Sequence, residues 1–505
     1  MRPSVASRAM MVMAMAALLA LAVLHVSRTA TDSVRFDDAF IANVAKNVAR
    51  HNGYSSAFYA IRPFDPEITT GPALILPAAA LIGLFGNRYY VPNLAYVLCT
   101  WTLLGLVLWT LRRRLMGLQA SASVFVIAFG LIVFSTQEFG LLGEIPAALM
   151  MALGALALTD PAFPTRRAVL AGLWFGCAVT TKVIALLALP AFVGYLVLRD
   201  GERRPRTRRW AGFLGGASLP LGLRELWCVA ADGGPIGWID AKRQDFNIMF
   251  GPDSLSGAQT GLAGLASPRV FVETLARNTG TLASEWGGML ALAAACVATG
   301  AAVWRSVRPV EPRSRSVHDA GLVLLLAAVT HLAWWLLLSP TGWTRHLLPG
   351  TVYWLMALSS LIAVRPRRSA TLAVASASLL IVALVPQFLK VSPPKLRLQP
   401  GVRAAALIAT ADRVREIQQD PDVILIGCGW WHNPDVDFLL PSSASFRDCR
   451  AVSEQERVGK RLVLVHSDYF NWEESEQLRR FQESCDRRVL FSRPPFVVAE
   501  CQGLP

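Results

Sequence analysis

The chain has 505 residues, 53% of them hydrophobic and 17% charged, with 49 Lys and Arg against 35 Asp and Glu and a net charge of +14. A mean hydropathy of +0.42 excludes an ordinary soluble enzyme of this length, since repeated apolar runs able to cross about 30 Å of hydrocarbon account for it better. Nor does the basic excess point to nucleic acid: the arginines gather in short clusters between apolar runs, near 112–114, 199–209, 305–315 and 365–368, as in cytoplasmic loops under the positive-inside rule.

With those clusters placed in the cytoplasm, the elements follow in order. The run 10–26 lies behind Arg2 and Arg8 and is too long for a signal-peptide core, so it reads as an uncleaved first span, about 9–27, leading outward. An outer segment, 28–89, comes next. Further spans are expected near 90–111, 120–137, 143–159, 168–181, 183–198, 210–230, 286–304, 320–338, 346–363 and 369–388, eleven in all. The pair 168–181 and 183–198 is read as a tight hairpin turning outside at Thr180-Thr181-Lys182. The expected fold class is thus an α-helical polytopic membrane protein over 1–389, with a small extracytoplasmic α/β domain over 390–505. In that last part a helical run (402–419) alternates with the strand runs "DVILIG", "RLVLVHS" and "PPFVVAEC" and with a charged helix, 473–485.

Of the eight cysteines, Cys99, Cys177, Cys228 and Cys296 lie in or near spans, where a thiol packs as a small hydrophobe. Cys428, Cys449, Cys485 and Cys501 fall in the outer domain, where an even set favours disulfides. Sequence proximity pairs Cys428 with Cys449 and Cys485 with Cys501; four separate thiols are the alternative. No C-x-x-C or H-E-x-x-H zinc spacing occurs.

The stretch "RFDDAFIANVAKNVARHNGY", 35–54, puts two carboxylates at the head of an amphipathic helix. Phe40, Ile41, Val44, Ala45, Val48 and Ala49 share one face; Lys46, Asn47 and Arg50 share the other. That pattern describes a helix lying in the membrane interface, polar face to water, with Gly53 as its end. Asp37 or Asp38 as a helix cap is the plain reading. Three more stretches place charge at outer mouths of spans: "GEIPAALM" (143–150), "GLWFGCAVTTKVIALLALP" (172–190) and "GWTRHLLPG" (342–350). Charge at such depth is costly and marks function by default.

Together these motifs, their order and their sidedness resemble the GT-C glycosyltransferases, which include protein O-mannosyltransferases and aminoarabinose transferases. The resemblance covers roughly 1–365, including an acidic pair in the first outer loop and a later proline segment, "DPEITTGPALILPAAALIGLFGN" (65–87). It departs at Thr70-Gly71-Pro72, where aminoarabinose transferases carry Lys-Pro-Pro, and it lacks the His-Pro signatures of protein mannosyltransferases. Sugar and acceptor are therefore not carried over.

The resemblance implies an inverting hexosyl- or pentosyltransferase of the inner membrane. It would move a sugar from a polyprenyl-phosphate donor to a cell-envelope glycan, lipid or exported protein on the periplasmic side. Asp37 is the expected base, with Asp38 beside it to orient or cap. Lys182, Arg345 and His346 are expected at the donor phosphate, Arg345 through a bidentate fork. Glu144 and the weaker Glu138 are expected at acceptor or metal. No cofactor is demanded, a divalent metal ion being the one left open. Two rivals stand beside this: a flippase for lipid-linked sugars, which would want charges buried mid-span and repeat symmetry, and a non-catalytic scaffold, which has no use for the aspartate pair.

Overall fold

The structure is a computed structural model. It describes residues 5–56, 62–65, 68–114, 118–137, 139–160, 164–199, 203–250, 268–285, 312–339, 344–362, 399–427, 434–441, 446–448, 452, 459–467, 479, 481, 483 and 485–502. Two compact units interleave along the chain: Met1–His25, Cys99–Phe139 and Gly143–Pro394 form a helical unit, and Val26–Leu98, Gly140–Leu142 and Lys395–Pro505 an α/β unit.

In chain order the elements are α1 (Val5–Thr31), α2 (Phe36–Ala49), β1 (Ser55–Ser56), β2 (Arg62–Pro63), α3 (Pro72–Phe85), α4 (Val91–Arg114), α5 (Leu118–Gln137), α6 (Glu144–Leu158) and α7 (Pro164–Thr181). After a 3-10 turn, Val183–Ala188, come α8 (Leu189–Arg199), α9 (Arg203–Ala231), α10 (Pro235–Phe250), α11 (Pro268–Glu285) and α12 (Pro312–Leu338). A second 3-10 turn, Thr344–Leu347, leads into α13 (Leu348–Ile362). The chain closes with α14 (Val402–Ile417), β3 (Val423–Gly427), α15 (Pro434–Leu439), β4 (Arg447–Asp448), β5 (Arg461–Ser467), β6 (Asp486–Arg493) and β7 (Phe496–Gln502).

Among the described residues, three helices are long and apolar enough to cross a membrane: Ser7–Thr31, Val91–Arg113 and Arg315–Leu338. The expected spans near 286–304 and 369–388 lie outside the described residues. The other expected spans fall on shorter or more polar helices. All 15 residues of α6 are buried, Glu144 to Leu158, and at 1.5 Å per residue it is only about 22 Å long. A helix enclosed by neighbours does not need the length that a lipid-facing one does, so hydropathy fixes such boundaries poorly.

Within the helical unit, α7 and α9 cross through glycines. Gly172 and Gly176 on α7, and Gly212 and Gly216 on α9, stand four apart. A Cβ on Gly172 would strike the carbonyl oxygen of Phe213, and one on Gly216 that of Val169. Small residues at this spacing let two helix backbones approach closely where hydrophobic driving force is weak.

The α/β unit carries a mixed five-stranded sheet in the order β4-β3-β5-β7-β6. β3 pairs parallel to β4 and β5, while β7 pairs antiparallel to both β5 and β6. β3, β5 and β7 fall on the three apolar strand runs. β6 is new: "DRRVLFSR" is largely exposed and charged, and as an edge strand it needs no apolar run to hold its place. Cys485 and Cys501 form a disulfide, Cα–Cα 5.3 Å, inside a cluster with Ile426, Leu462, Leu464 and Phe481. Cys428 and Cys449 lie outside the described residues.

Candidate active site

α2 begins after Arg35, whose extended backbone (φ −139°, ψ 146°) makes it the N-cap, with no side-chain cap bond. Asp37 and Asp38 therefore do not cap. They are the second and third helical residues, where free N–H groups and the helix dipole favour carboxylates. Both are half-buried. Asp38 lies against Gly140, whose φ of +154° suits glycine; a Cβ there would come within 2.5 Å of the Asp38 carboxyl atoms.

The loop that meets Asp38 is tied down by Thr70. Its hydroxyl faces the carbonyl oxygens of Leu141 at 2.9 Å and Leu142 at 3.0 Å, and its own carbonyl accepts from the Tyr54 hydroxyl. Thr70 is fully buried. At the position where aminoarabinose transferases carry a lysine, this chain thus has a hydroxyl that holds a loop.

Of the polar face of α2 only Arg50, at its end, is exposed. Asn43, Lys46 and Asn47 are buried along with the apolar face. Asn43 donates to the Pro434 carbonyl at 2.7 Å, and the Lys46 ammonium donates to Asp437 O at 2.5 Å and Leu440 O at 3.4 Å. The Asp437 carboxylate stands 3.7 Å from the same ammonium, and Asn47 donates to Ser55 O at 2.8 Å. This corrects the picture of a helix with one wet face. The segment around α15 supplies the acceptors that water would supply to a surface helix. Burial pulls the Lys46 ammonium below the usual lysine value, Asp437 opposing and Arg50 adding to the effect.

In the helical unit Glu144 and Lys182 form an ion pair at 3.1 Å, both nearly enclosed. Glu144 opens α6 after Gly143, which is left-handed (φ 85°). Lys182 occupies a one-residue break between α7 and the following 3-10 turn, with extended backbone (φ −151°, ψ 116°). Read along the chain these two residues have separate tasks; the fold brings them together. Arg345 and His346 sit in the turn Thr344–Leu347, and the His346 carbonyl lies 2.6 Å from His331 Nε2. The Arg345 side chain and Glu138 lie outside the described residues. Among the described residues no three His, Cys, Asp or Glu side chains are grouped to hold a metal.

Among the described residues three buried histidines had no sequence signal: His318, at 6% exposure, and two at 0%. His331 on α12 is one of these two. The other is His25 on α1, whose Nδ1 accepts from Trp101 Nε1 at 3.0 Å while Nε2 stands 2.8 Å from Ser135 Oγ. An indole N–H only donates, so the neutral His25 ring carries its proton on Nε2. The partners of His25 come from other helices and that of His331 from the turn after its own helix, so spacing along the chain does not reveal them.

No known protein-family profile and no curated protein matches this sequence. Among solved structures, ArnT from Cupriavidus metallidurans bound to undecaprenyl phosphate aligns over 97% of this chain and 97% of its own, at TM-score 0.56 and 16% identity. The chain has the GT-C fold. An oligosaccharyltransferase from Archaeoglobus fulgidus in the apo form aligns over 91% of this chain and 69% of its own, at TM-score 0.47 and 13% identity. The GT-C fold is a membrane fold, in keeping with the three long apolar helices above.

Proposed function

We infer that this chain is a membrane glycosyltransferase that moves a hexosyl or pentosyl group from a polyprenyl-phosphate donor to a cell-envelope acceptor. The observation that carries the reading is the near full-length likeness to a GT-C structure holding undecaprenyl phosphate. The acidic pair in the first turn of α2 adds to it.

In this reading the acceptor hydroxyl oxygen attacks the anomeric carbon and a new C–O bond forms. The bond from that carbon to the phosphate oxygen breaks, and its electron pair leaves on the polyprenyl phosphate. Asp37 takes the hydroxyl proton, and Asp38, held against Gly140, fixes the turn that aims it. One displacement inverts the anomeric centre. Lys182, Arg345 and His346 serve the leaving phosphate. Glu144 holds the Lys182 ammonium in place and turns toward the acceptor when phosphate takes over that cation. In this reading the site and residues 390–505 face the periplasm, and residues 1–389 carry the spans of the inner membrane.

The test is Asp37→Asn. It keeps size and first-turn position and removes basicity. Transfer should fall by roughly 10²-fold or more, with thermal stability near wild type and Asp38→Asn costing less. Transfer by Asp37→Asn at the wild-type rate would sink the assignment.

A further inference from the structure

A second basic site lies inside the α/β unit, away from the acidic turn of α2. The ends of α2 and α3, with Arg415 of α14 and the residues after α15, enclose a cleft of about 360 Å³. Three arginines line it, Arg50, Arg88 and Arg415, and none of its lining residues is acidic. Asn87 lies between them and holds one wall closed by donating to Leu440 O at 3.1 Å. Arg415 is fixed in the opposite wall by Asp412 at 2.6 Å and by Leu439 O at 3.2 Å.

Arginine at a helix C-terminus is commonly explained by the helix dipole. That explanation does not use these side chains. The last carbonyls of α2 at Lys46, Asn47 and Val48 already accept from the N–H groups of Arg50, Asn52 and His51, and Ile82 O of α3 accepts from Gly86 N–H. Among the described residues the Arg50 and Arg88 guanidinium groups meet neither carboxylate nor carbonyl. Beside the cleft, Leu84 and Phe85 at the end of α3 are 76% and 50% exposed. Bare apolar side chains next to unspent guanidinium groups match a bilayer surface, where acyl chains give way to phosphate.

We propose that this cleft binds a phosphate group, with Arg50 and Arg88 as its ligands and Arg415 as the charged back wall. Guanidinium forks suit phosphate oxygens, and two of them can grip one group from both sides. The chemistry is shared by an anionic phospholipid headgroup and by a free phosphate ester. The inference goes beyond the transferase reading and holds whether or not Asp37 is a base, because binding is read without any transfer.

The experiment uses the full chain in neutral detergent, with bound lipid counted by native mass spectrometry. Phosphatidylglycerol is set against phosphatidylcholine, and inorganic phosphate and glycerol 3-phosphate serve as soluble competitors. Wild type should retain phosphatidylglycerol preferentially. Arg50→Gln/Arg88→Gln should weaken that retention by roughly 25-fold, at about fivefold per arginine near a membrane surface. Gly83→Glu keeps every arginine and sets a carboxylate in the cleft. A Cβ at Gly83 meets nothing within 4 Å, so the fold should survive while retention falls. Displacement by the soluble competitors identifies a free phosphate ester; retention of the lipid alone identifies a headgroup. Equal retention of both lipids with no binding of either soluble probe overturns the proposal, as does retention unchanged in both variants.

Discussion

Lys46 and Lys182 are both enclosed, one in the middle of α2 in the α/β unit, the other at the break after α7 in the helical unit. Lys46 sits on regular backbone, and the acceptors of its ammonium belong to the remote segment Asp437–Leu440. Lys182 sits on extended backbone between two helical pieces and meets a carboxylate that opens a third. Burial is common to both and separates nothing. The irregular backbone does: within a membrane, non-helical chain persists where protein or a water-lined cavity receives it. In the proposed function Lys46 is accordingly a fastening and Lys182 part of the site.

Substitutions at both lysines test that contrast. The largest effect is expected from Lys46→Met, which leaves the Asp437 carboxylate and two carbonyls without their donor. Stability of the α/β unit should fall by about 3–5 kcal/mol, seen as an early thermal transition, with transfer lost alongside. Next is Lys182→Met/Glu144→Leu, which removes both members of the other pair. Replacing a buried pair with apolar groups is often neutral for stability, so the melt should stay near wild type while transfer falls by roughly 10²-fold, within the range general to positioned charge. The contrast collapses if this double variant transfers normally.

The smallest effect concerns Asp435, which ion-pairs with Arg403 at 2.7 Å. Burial raises its carboxyl above the ordinary 3.8, against the opposing pull of Arg403. The folded state then keeps a proton that the unfolded chain has lost. Stability falls as pH climbs from 3.8 through the folded value, by no more than about 1.4 kcal/mol per pH unit. Asp435→Asn should flatten that slope in melting curves taken from pH 4 to 7. Parallel curves for the two proteins would remove Asp435 from the account.

Local features were legible in the sequence to the degree that they were local. α2 could be read from its periodicity, β3, β5 and β7 from apolar runs, and Lys182 from its place at the end of a span. The cover on α2 could not. A polar stripe looks alike whether water or carbonyl oxygens will meet it, and the carbonyls here lie at Pro434 and Asp437, 391 residues from Asn43 and Lys46. β6 was hidden because its charged side chains mask a strand whose register is set by β7. The cap reading of the aspartates failed by two or three residues, since Arg35 takes the cap with backbone alone. His25 became visible only once helices distant in sequence were side by side, and His331 only once the turn after α12 lay against it.

The separation between Lys46 and its acceptors also sets an order of manufacture. At 5 to 20 residues per second a ribosome needs roughly 20–80 s to cover the 391 positions from Lys46 to Asp437. Through that interval α2 has left the ribosome without the carbonyls that will receive its ammonium. The helix carrying Asp37 and Asp38 gains its last fastening only when most of the chain has been synthesised. A half-made or truncated copy holds its aspartates on a helix braced only by its near neighbours such as Ser55, so the carboxy-terminal end completes the support of that turn.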